Sequence, residues 1–379
     1  MHQRAQLSVS LSCLGDNFEQ LGKLAPSNDL LFMVKANGYG HGMLSIVDYS
    51  FRECSITQFG CASLDEAIDL RRATPSLHYE LYVFSDTQLA YQEKRELYLN
   101  YRLLPVVSSL SDLQALLGDK SCRHLPISLK FNTGMNRLGI EQSEVEGVLA
   151  ALKSAGRKSI YHLMSHFALA SDSKDAASPH PFCHQQYSSF QEIKRELTAA
   201  GIAIERTSMA NSGAIEQNFA LDESHIRPGL MLYGPSALSV GHRQNSRWRG
   251  KNISTFESSV LKLFPVSAGD VIGYGATPIE QDGIVAILPI GYGDGLSRRY
   301  QGVELQFDGV PGIFWGRVNM DLAQIFFAGK SDANQFKVGQ EMKIWEQDSS
   351  RVLSIADQME TIPYEVFTQL TSRVARNYI

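Results

Sequence analysis

Lys35 is the residue in this sequence best placed to do chemistry. In Met33-Val34-Lys35-Ala36-Asn37-Gly38-Tyr39-Gly40-His41-Gly42 an apolar run delivers a lysine and then breaks into a loop with three glycines. If the run is a strand of a parallel barrel, its C-terminal end faces the active site. Apolar walls there would desolvate the ammonium and lower its pKa, leaving an amine able to form an imine with a carbonyl. Taken alone, the same lysine also reads as a side chain snorkelling from a strand end. The five cysteines (Cys13, Cys54, Cys61, Cys122 and Cys183) are scattered, odd in number and without C-x-x-C spacing. Neither a disulfide framework nor a metal site is expected from them.

The elements that must position Lys35 alternate along the first two-thirds of the chain. Strands are expected at Leu30–Lys35, Gln58–Ala62, Glu80–Phe84, Leu103–Val107, Pro126–Phe131, Ile160–Phe167, Ile202–Ser208 and Ile226–Tyr233. Helical patterns lie between them at Leu64–Arg72, Thr87–Leu99, Val145–Ala155 and Gln185–Ala200. Ser63 and Glu66 have the spacing of a capping box, and Gly201 stands where a helix should stop. Eight β/α alternations read as a (β/α)8 TIM-type barrel, with a doubly wound open sheet as the alternative. The missing G-x-G-x-x-G after the first strand weakens a dinucleotide-binding version of that alternative.

The pattern changes near residue 240. Gly241–Asn252 is polar and basic and reads as a linker, so the barrel is expected over residues 1–242. Residues 243–379 then read as a mostly-β domain, with strands at Val260–Phe264, Gly283–Ile290, Val303–Phe307, Leu322–Phe327 and Glu341–Trp345. A helical tail is expected at Ile362–Ala375. With 379 residues, 44% hydrophobic and 20% charged, and a net charge of −5, the chain has the composition of a two-domain soluble protein. Its charge gives no basic footprint for nucleic acid or for a membrane surface. The first residues are polar, and no run approaches the length of a membrane span, so a cytoplasmic location is expected.

The segment around Lys35 resembles the cofactor-lysine signature of the alanine racemase family, and the resemblance continues along the chain. Lys130-Phe131-Asn132-Thr133-Gly134-Met135-Asn136-Arg137-Leu138-Gly139 is similar to the family's K-x-D-T-G-M-x-R-L-G. Ser165-His166-Phe167-Ala168, Ala210-Asn211-Ser212 and Arg227-Pro228-Gly229-Leu230-Met231-Leu232-Tyr233-Gly234 follow in family order. So do Gly273-Tyr274-Gly275-Ala276-Thr277, Gly291-Tyr292-Gly293-Asp294-Gly295, Gly316-Arg317-Val318-Asn319-Met320-Asp321 and Thr361-Ile362-Pro363-Tyr364-Glu365. The closing Arg373-Val374-Ala375-Arg376 completes the series.

The resemblance implies an isomerase that interconverts L- and D-alanine with pyridoxal 5'-phosphate, made as a homodimer with shared active sites. D-alanine supply for peptidoglycan precursors is the role this suggests. A racemase of the same scaffold acting on serine or a broader set of amino acids is the alternative. Lys35 would hold the cofactor and act as base on one face of the substrate; Tyr274, from the other subunit, would act on the opposite face. A free tyrosine has a pKa near 10, so Tyr274 would need help from Arg137 and His166 through charge and hydrogen bonding. Arg227 would hydrogen-bond to the pyridine nitrogen without protonating it, which makes the ring a poorer electron sink and favours racemisation over transamination. Phosphate would fall to Tyr39, Tyr364, Ser212 and the backbone N–H groups of Gly229 and Leu230, with His166 and Asn211 also against the cofactor. Ser212 would at the same time cap the helix that follows it. Arg137 and the Met320 backbone would hold the substrate carboxylate, and Tyr292 would narrow the entrance. Three departures stand out: Asn132 in place of the usual Asp, Asn319 in place of Cys or Ser, and Gly38 in place of Ala. Lys130 aligns with a lysine that is carbamylated in some members, where the carbamate orients the arginine at position 137.

Overall fold

The structure is a computed structural model that describes residues 4–172, 179–329 and 336–379. Residues 1–3, whose polar character was noted above, lie outside the described residues.

The barrel is closed by a split first strand. Asp29–Leu30 pairs with His225–Arg227, and Phe32–Met33 pairs with Gln58–Cys61, all parallel. Leu31 bridges the two halves by donating its N–H to the Ile226 carbonyl at 3.0 Å. Between those ends run Glu80–Val83, Leu104–Val107, Ser128–Asn132, Ser159–Met164 and Ala203–Asn211 in one parallel path. An open doubly wound sheet has two free edges, and here those edges meet. The barrel expectation therefore holds.

Period-two alternation sorts the barrel side chains. Leu31, Tyr82, Leu104, Val106 and Met164 form one buried cluster, while Leu81, Val83, Val107, Leu129 and Leu163 join the larger core shared with the helices. Ser63 accepts from the Glu66 N–H and Glu66 returns the bond, so the expected capping box opens the helix Leu64–Ala73. Gly201, at φ +82°, follows the helix Pro181–Ala199. That helix begins earlier than its periodicity suggests, because Pro181 sits in its first turn, where no N–H is needed. The helix expected from Thr87 starts only at Gln92. Helices Leu11–Leu24, Met43–Arg52 and Leu110–Gly118 went unpredicted.

The expected strand Ile226–Tyr233 ends at Arg227 and turns through Pro228-Gly229 into a 3-10 turn, Leu230–Tyr233. Proline cannot donate to a ladder, which stops the strand there.

The second unit holds an antiparallel five-stranded sheet in the order Lys262–Val266, Gly283–Leu288, Ala323–Ala328, Val310–Phe314, Glu304–Phe307. Beside it is a four-stranded sheet of Glu341–Trp345, Ser254–Ser259, Ala5–Val9 and Ala375–Tyr378. Ala5–Val9, placed within the barrel by sequence position, pairs instead with Ser254–Ser259 and with Ala375–Tyr378. The expected helical tail is likewise shorter: Pro363–Thr368 is helical, and Ala375–Tyr378 is a strand. A strand at one terminus can complete a sheet at the other, and such long-range pairing leaves no trace in local periodicity. The basic segment 241–252 spends charge on the fold, with Arg243 bidentate to Asp357 at 2.6 and 2.9 Å and Lys251 on Asp16 at 2.8 Å.

Candidate active site

Lys35 leaves the end of Phe32–Met33 and the chain then turns back at once. Ala36, Asn37, Gly38 and Tyr39 all have φ between +52° and +63°, a left-handed turn that costs non-glycine residues about 1–2 kcal/mol each. Local bonds hold it. The Met43 N–H donates to Asn37 Oδ1 at 2.9 Å, and Glu66 Oε1 accepts from the Asn37 N–H at 3.3 Å. Gly40 is required because a Cβ there would meet the Phe367 carbonyl oxygen at 2.3 Å. The turn fixes the backbone of Lys35 at the barrel mouth, and its side chain opens into a cavity of about 260 Å3.

Sixteen residues line that cavity; among them are the expected Lys35, Tyr39, Lys130, Arg137, His166 and Arg227. Asn211, Ser212, Gly229 and Tyr364 complete the expected set on its wall. The Lys35 ammonium is pushed below its ordinary pKa chiefly by burial and next by the Arg137 charge, with Glu66 opposing. This is the lowering that imine chemistry requires.

Arg227 is buried, and among the described residues no carboxylate pairs with it. Its Nη1 donates to Ser208 Oγ at 2.5 Å, and its Nη2 bonds to the Ser165 and Met209 carbonyls and approaches His166 Nδ1 at 3.4 Å. Burial alone pulls its pKa down to about 10, so it remains a cation at neutral pH. His166 is held far below its ordinary pKa by burial first, then by Arg227, Lys130, Arg137 and Lys35. It is therefore a neutral imidazole and cannot supply the positive charge expected of it; hydrogen bonding is what it can offer.

Lys130 is also buried, and its pKa is lowered to about 8 by burial and then by Arg227, Arg137 and Lys35. Asn132, noted above as a departure from the usual Asp, organises the following loop. Its Oδ1 accepts from the Gly134 and Asn136 N–H groups and its Nδ2 donates to Asn136 and Glu141. The cluster Lys35, Lys130, Arg137 and Arg227 thus faces the cavity, and Glu66, the acid that acts on Lys35, is turned to backbone N–H groups.

A second wall forms a cradle. The Gly229 N–H donates to Ser212 Oγ at 3.0 Å, and a Cβ on Gly229 would lie 2.2 Å from Tyr39 Oη. Tyr39 stacks on Tyr233 with ring centroids 4.6 Å apart and lies 5.8 Å from Tyr364. Burial raises the pKa of both Tyr39 and Tyr364, so each keeps its phenolic proton as a donor. The helix after Asn211 is only Ser212–Glu216, and Asn211, rather than Ser212, caps it by accepting from the Ala214 N–H at 3.2 Å. The Ser212 hydroxyl is thereby left to the cavity side. Leu230 opens the neighbouring 3-10 turn and is not on the wall.

The structure does not bring Tyr274, Tyr292 or Met320 to this cavity. Tyr274 sits in the turn between Val271–Ile272 and Thr277–Pro278. All three side chains are exposed, at 71%, 45% and 54%. Tyr292 and Met320 share one corner, where the Tyr292 N–H bonds to the Asn319 carbonyl and the Gly293 N–H to the Met320 carbonyl, each at 2.9 Å. Sequence reasoning missed Met33, Phe84, Ser85, Leu138, Met164 and Ser165 on the cavity wall. Phe84 and Ser85 could have been found, since they stand at the C-terminal end of an expected barrel strand.

Residues 9–237 match the family described as alanine racemase, N-terminal domain, and residues 253–378 match alanine racemase, C-terminal domain. The chain is 32% identical to the alanine racemase of Nitrosococcus oceani over 374 residues, covering 98% of both chains. It is 33% identical to that of Alcanivorax borkumensis over 384 residues, covering 99% of both. Among solved structures, the alanine racemase of Acinetobacter baumannii superposes with a TM-score of 0.84 at 28% identity over the whole of both chains.

Proposed function

Because the chain belongs to the alanine racemase family, we propose that it interconverts L- and D-alanine with pyridoxal 5'-phosphate. The observation that carries this reading is one cavity lined by the Lys35 amine, the buried Arg227 guanidinium and the Ser212–Gly229 cradle. The donor set fits the cofactor: an amine for its carbonyl, a cation for its ring nitrogen, and hydroxyl and amide groups for its phosphate. Tyr39, Tyr364, Ser212 and the Gly229 backbone would hold the phosphate, with the Leu230 N–H behind them in the adjoining turn; Asn211 and His166 would support the ring. When bound, the cofactor supplies an electron sink that acidifies the substrate Cα–H.

The remaining work belongs to side chains of this protein. Arg137, which makes no hydrogen bond or ion pair to another described residue, takes the substrate carboxylate with help from the Met320 backbone. Lys35 Nζ removes or returns the Cα proton on one face. Tyr274 Oη of the partner subunit does so on the other, because inversion needs two groups on opposite sides. Arg227 would hydrogen-bond to the ring nitrogen and leave it unprotonated. Tyr292 restricts the entrance to a side chain little larger than methyl. The exposure of Tyr274, Tyr292 and Met320 supports a homodimer in which each copy completes the other's site. Production of D-alanine for peptidoglycan precursors in the cytoplasm is the physiological role we assign. Among the described residues no helix is long and apolar enough to cross a membrane.

We further propose that Lys130 is carbamylated. Its lowered pKa makes the free amine available to carbon dioxide, and the product would place a negative charge among Arg137, Arg227 and Lys35.

A racemisation assay on purified protein with alanine, serine and lysine tests the function. Exchange of alanine well above the others is the expected result. Preference for serine or lysine would replace the substrate assignment, and no exchange of any would overturn the racemase reading.

A further inference from the structure

The barrel interior is not wholly apolar. Below Arg227, a file of polar side chains crosses it from the cavity to the opposite face. Ser208 Oγ lies 2.5 Å from Arg227 Nη1 and 2.8 Å from His162 Nε2. His162 Nδ1 is 3.5 Å from Tyr82 Oη, and the Tyr82 hydroxyl donates to Glu80 Oε2 at 3.2 Å. Arg206 grips the same Glu80 carboxylate, with Nη1 at 2.5 Å and Nη2 at 3.2 Å. Strand geometry makes the file: Arg206 and Ser208 share one face of their strand, and Glu80 and Tyr82 share one face of theirs. Ser208, His162 and Tyr82 are fully buried.

The directions of these bonds are constrained. Arg227 can only donate, so Ser208 Oγ accepts and its hydroxyl hydrogen is free to go to His162 Nε2. His162 then carries its proton on Nδ1, facing Tyr82 Oη. Tyr82 in turn sends its own proton to Glu80. In this sense each of these donors meets an acceptor, the Ser208 hydroxyl hydrogen included; Arg206 Nη1 adds a second bond to Tyr82 Oη at 3.1 Å, and the file ends on a carboxylate.

We propose that Ser208, His162 and Tyr82 form a one-way hydrogen-bond chain that positions Arg227 against the cofactor ring, anchored on Glu80 at the far end of the barrel. This rests on the cofactor reading given above. Among the described residues Arg227 has no acid partner, and its bonds go to neutral acceptors. A hydroxyl polarised by a chain of further bonds is a stronger acceptor than an isolated one. His162 must stay uncharged for the chain to keep its direction. Burial enforces this first, and His225, Arg227 and Arg206, the titratable and charged groups around it, all oppose a second proton. These are positioning residues, since none but Arg227 lines the cavity.

Two measurements test the chain. In 15N-histidine-labelled apoprotein, one buried histidine should show a bare Nε2 and a protonated Nδ1 at neutral pH, and its resonances should move in Tyr82→Phe. An Nε2-protonated or doubly protonated His162, or no movement, would overturn the proposal. In the holoenzyme, Ser208→Ala should shift the pH at which the visible absorbance of the bound cofactor titrates by ~0.5 unit or more and lower kcat more than KM rises, with Ser208→Thr restoring both. An unchanged titration and kcat in Ser208→Ala would also overturn it. A wild-type protein that binds no cofactor would instead defeat the functional reading, and the apoprotein experiment would still judge the chain.

Discussion

A Cβ on residue 229 would sit 2.2 Å from Tyr39 Oη. Tyr39 cannot retreat easily, because its ring is buried and stacked on Tyr233. Gly229→Ala should therefore displace the Tyr39 hydroxyl or the amide at 229, and both belong to the proposed phosphate cradle. Cofactor affinity should fall roughly tenfold or more, as expected when about 1.4 kcal/mol of contacts is lost. Titration of apoprotein with pyridoxal 5'-phosphate, followed by absorbance, gives the answer. An unchanged affinity would remove the cradle from phosphate binding.

Lys35→Ala should lose the visible absorbance of the bound cofactor together with essentially all turnover. The left-handed turn that follows does not depend on the lysine side chain, so the variant should fold normally by circular dichroism. Wild-type rates in this variant would end the assignment of Lys35.

Tyr274→Phe should slow exchange by ~10²–10⁴, as for loss of a general acid or base, and mainly from one enantiomer. Because Tyr274 is exposed and away from the cavity of its own chain, activity should also fall on dilution to monomers. Hydrogen–deuterium exchange at Cα, started from each enantiomer in turn, separates the two faces. Equal and slight effects in both directions would place the second base elsewhere.

Lys130 gives a pH dependence with a definite sign. Its folded pKa of about 8 lies below the ordinary 10.5, so between those values the unfolded chain binds more protons and stability rises with pH. The cost of the buried ammonium is fully present below pH 8 and is relieved as pH approaches 10.5. In carbon-dioxide-free buffer, Lys130→Met should be more stable than wild type at pH 7 by on the order of 1–3 kcal/mol, with the gap closing toward alkaline pH. Denaturant unfolding across that range measures it. Adding 13C-bicarbonate should produce a carbamate resonance that Lys130→Met lacks, and its absence in wild type would discard the modification.

Much of the barrel could be read along the chain because its signals are local. The capping box at Ser63 and Glu66, the stop at Gly201 and the apolar strands of the α/β alternation each depend on a few neighbouring residues. Lys35, Arg137, His166, Ser212, Arg227 and Tyr364 could be named because the motifs that carry them resemble those of the alanine racemase family in order along the chain, and they do meet in one cavity. Helices such as Leu11–Leu24 and Met43–Arg52 were passed over because their short amphipathic patterns sit directly beside strands and the Lys35 loop.

Other features depend on groups that meet only when the chain folds. The split of the first strand at Leu31 closes the barrel through a partner nearly two hundred residues away. Ala5–Val9 leaves the barrel for the second unit's sheet because its partners are Ser254–Ser259 and Ala375–Tyr378. The neutrality of His166, the lowered pKa of Lys130 and the proposed direction of the Arg227–Ser208–His162 bonds are matters of burial and charge at a distance. Residue types in sequence say which groups can titrate or donate; desolvation and Coulomb interactions, which act through space, decide which state each group adopts.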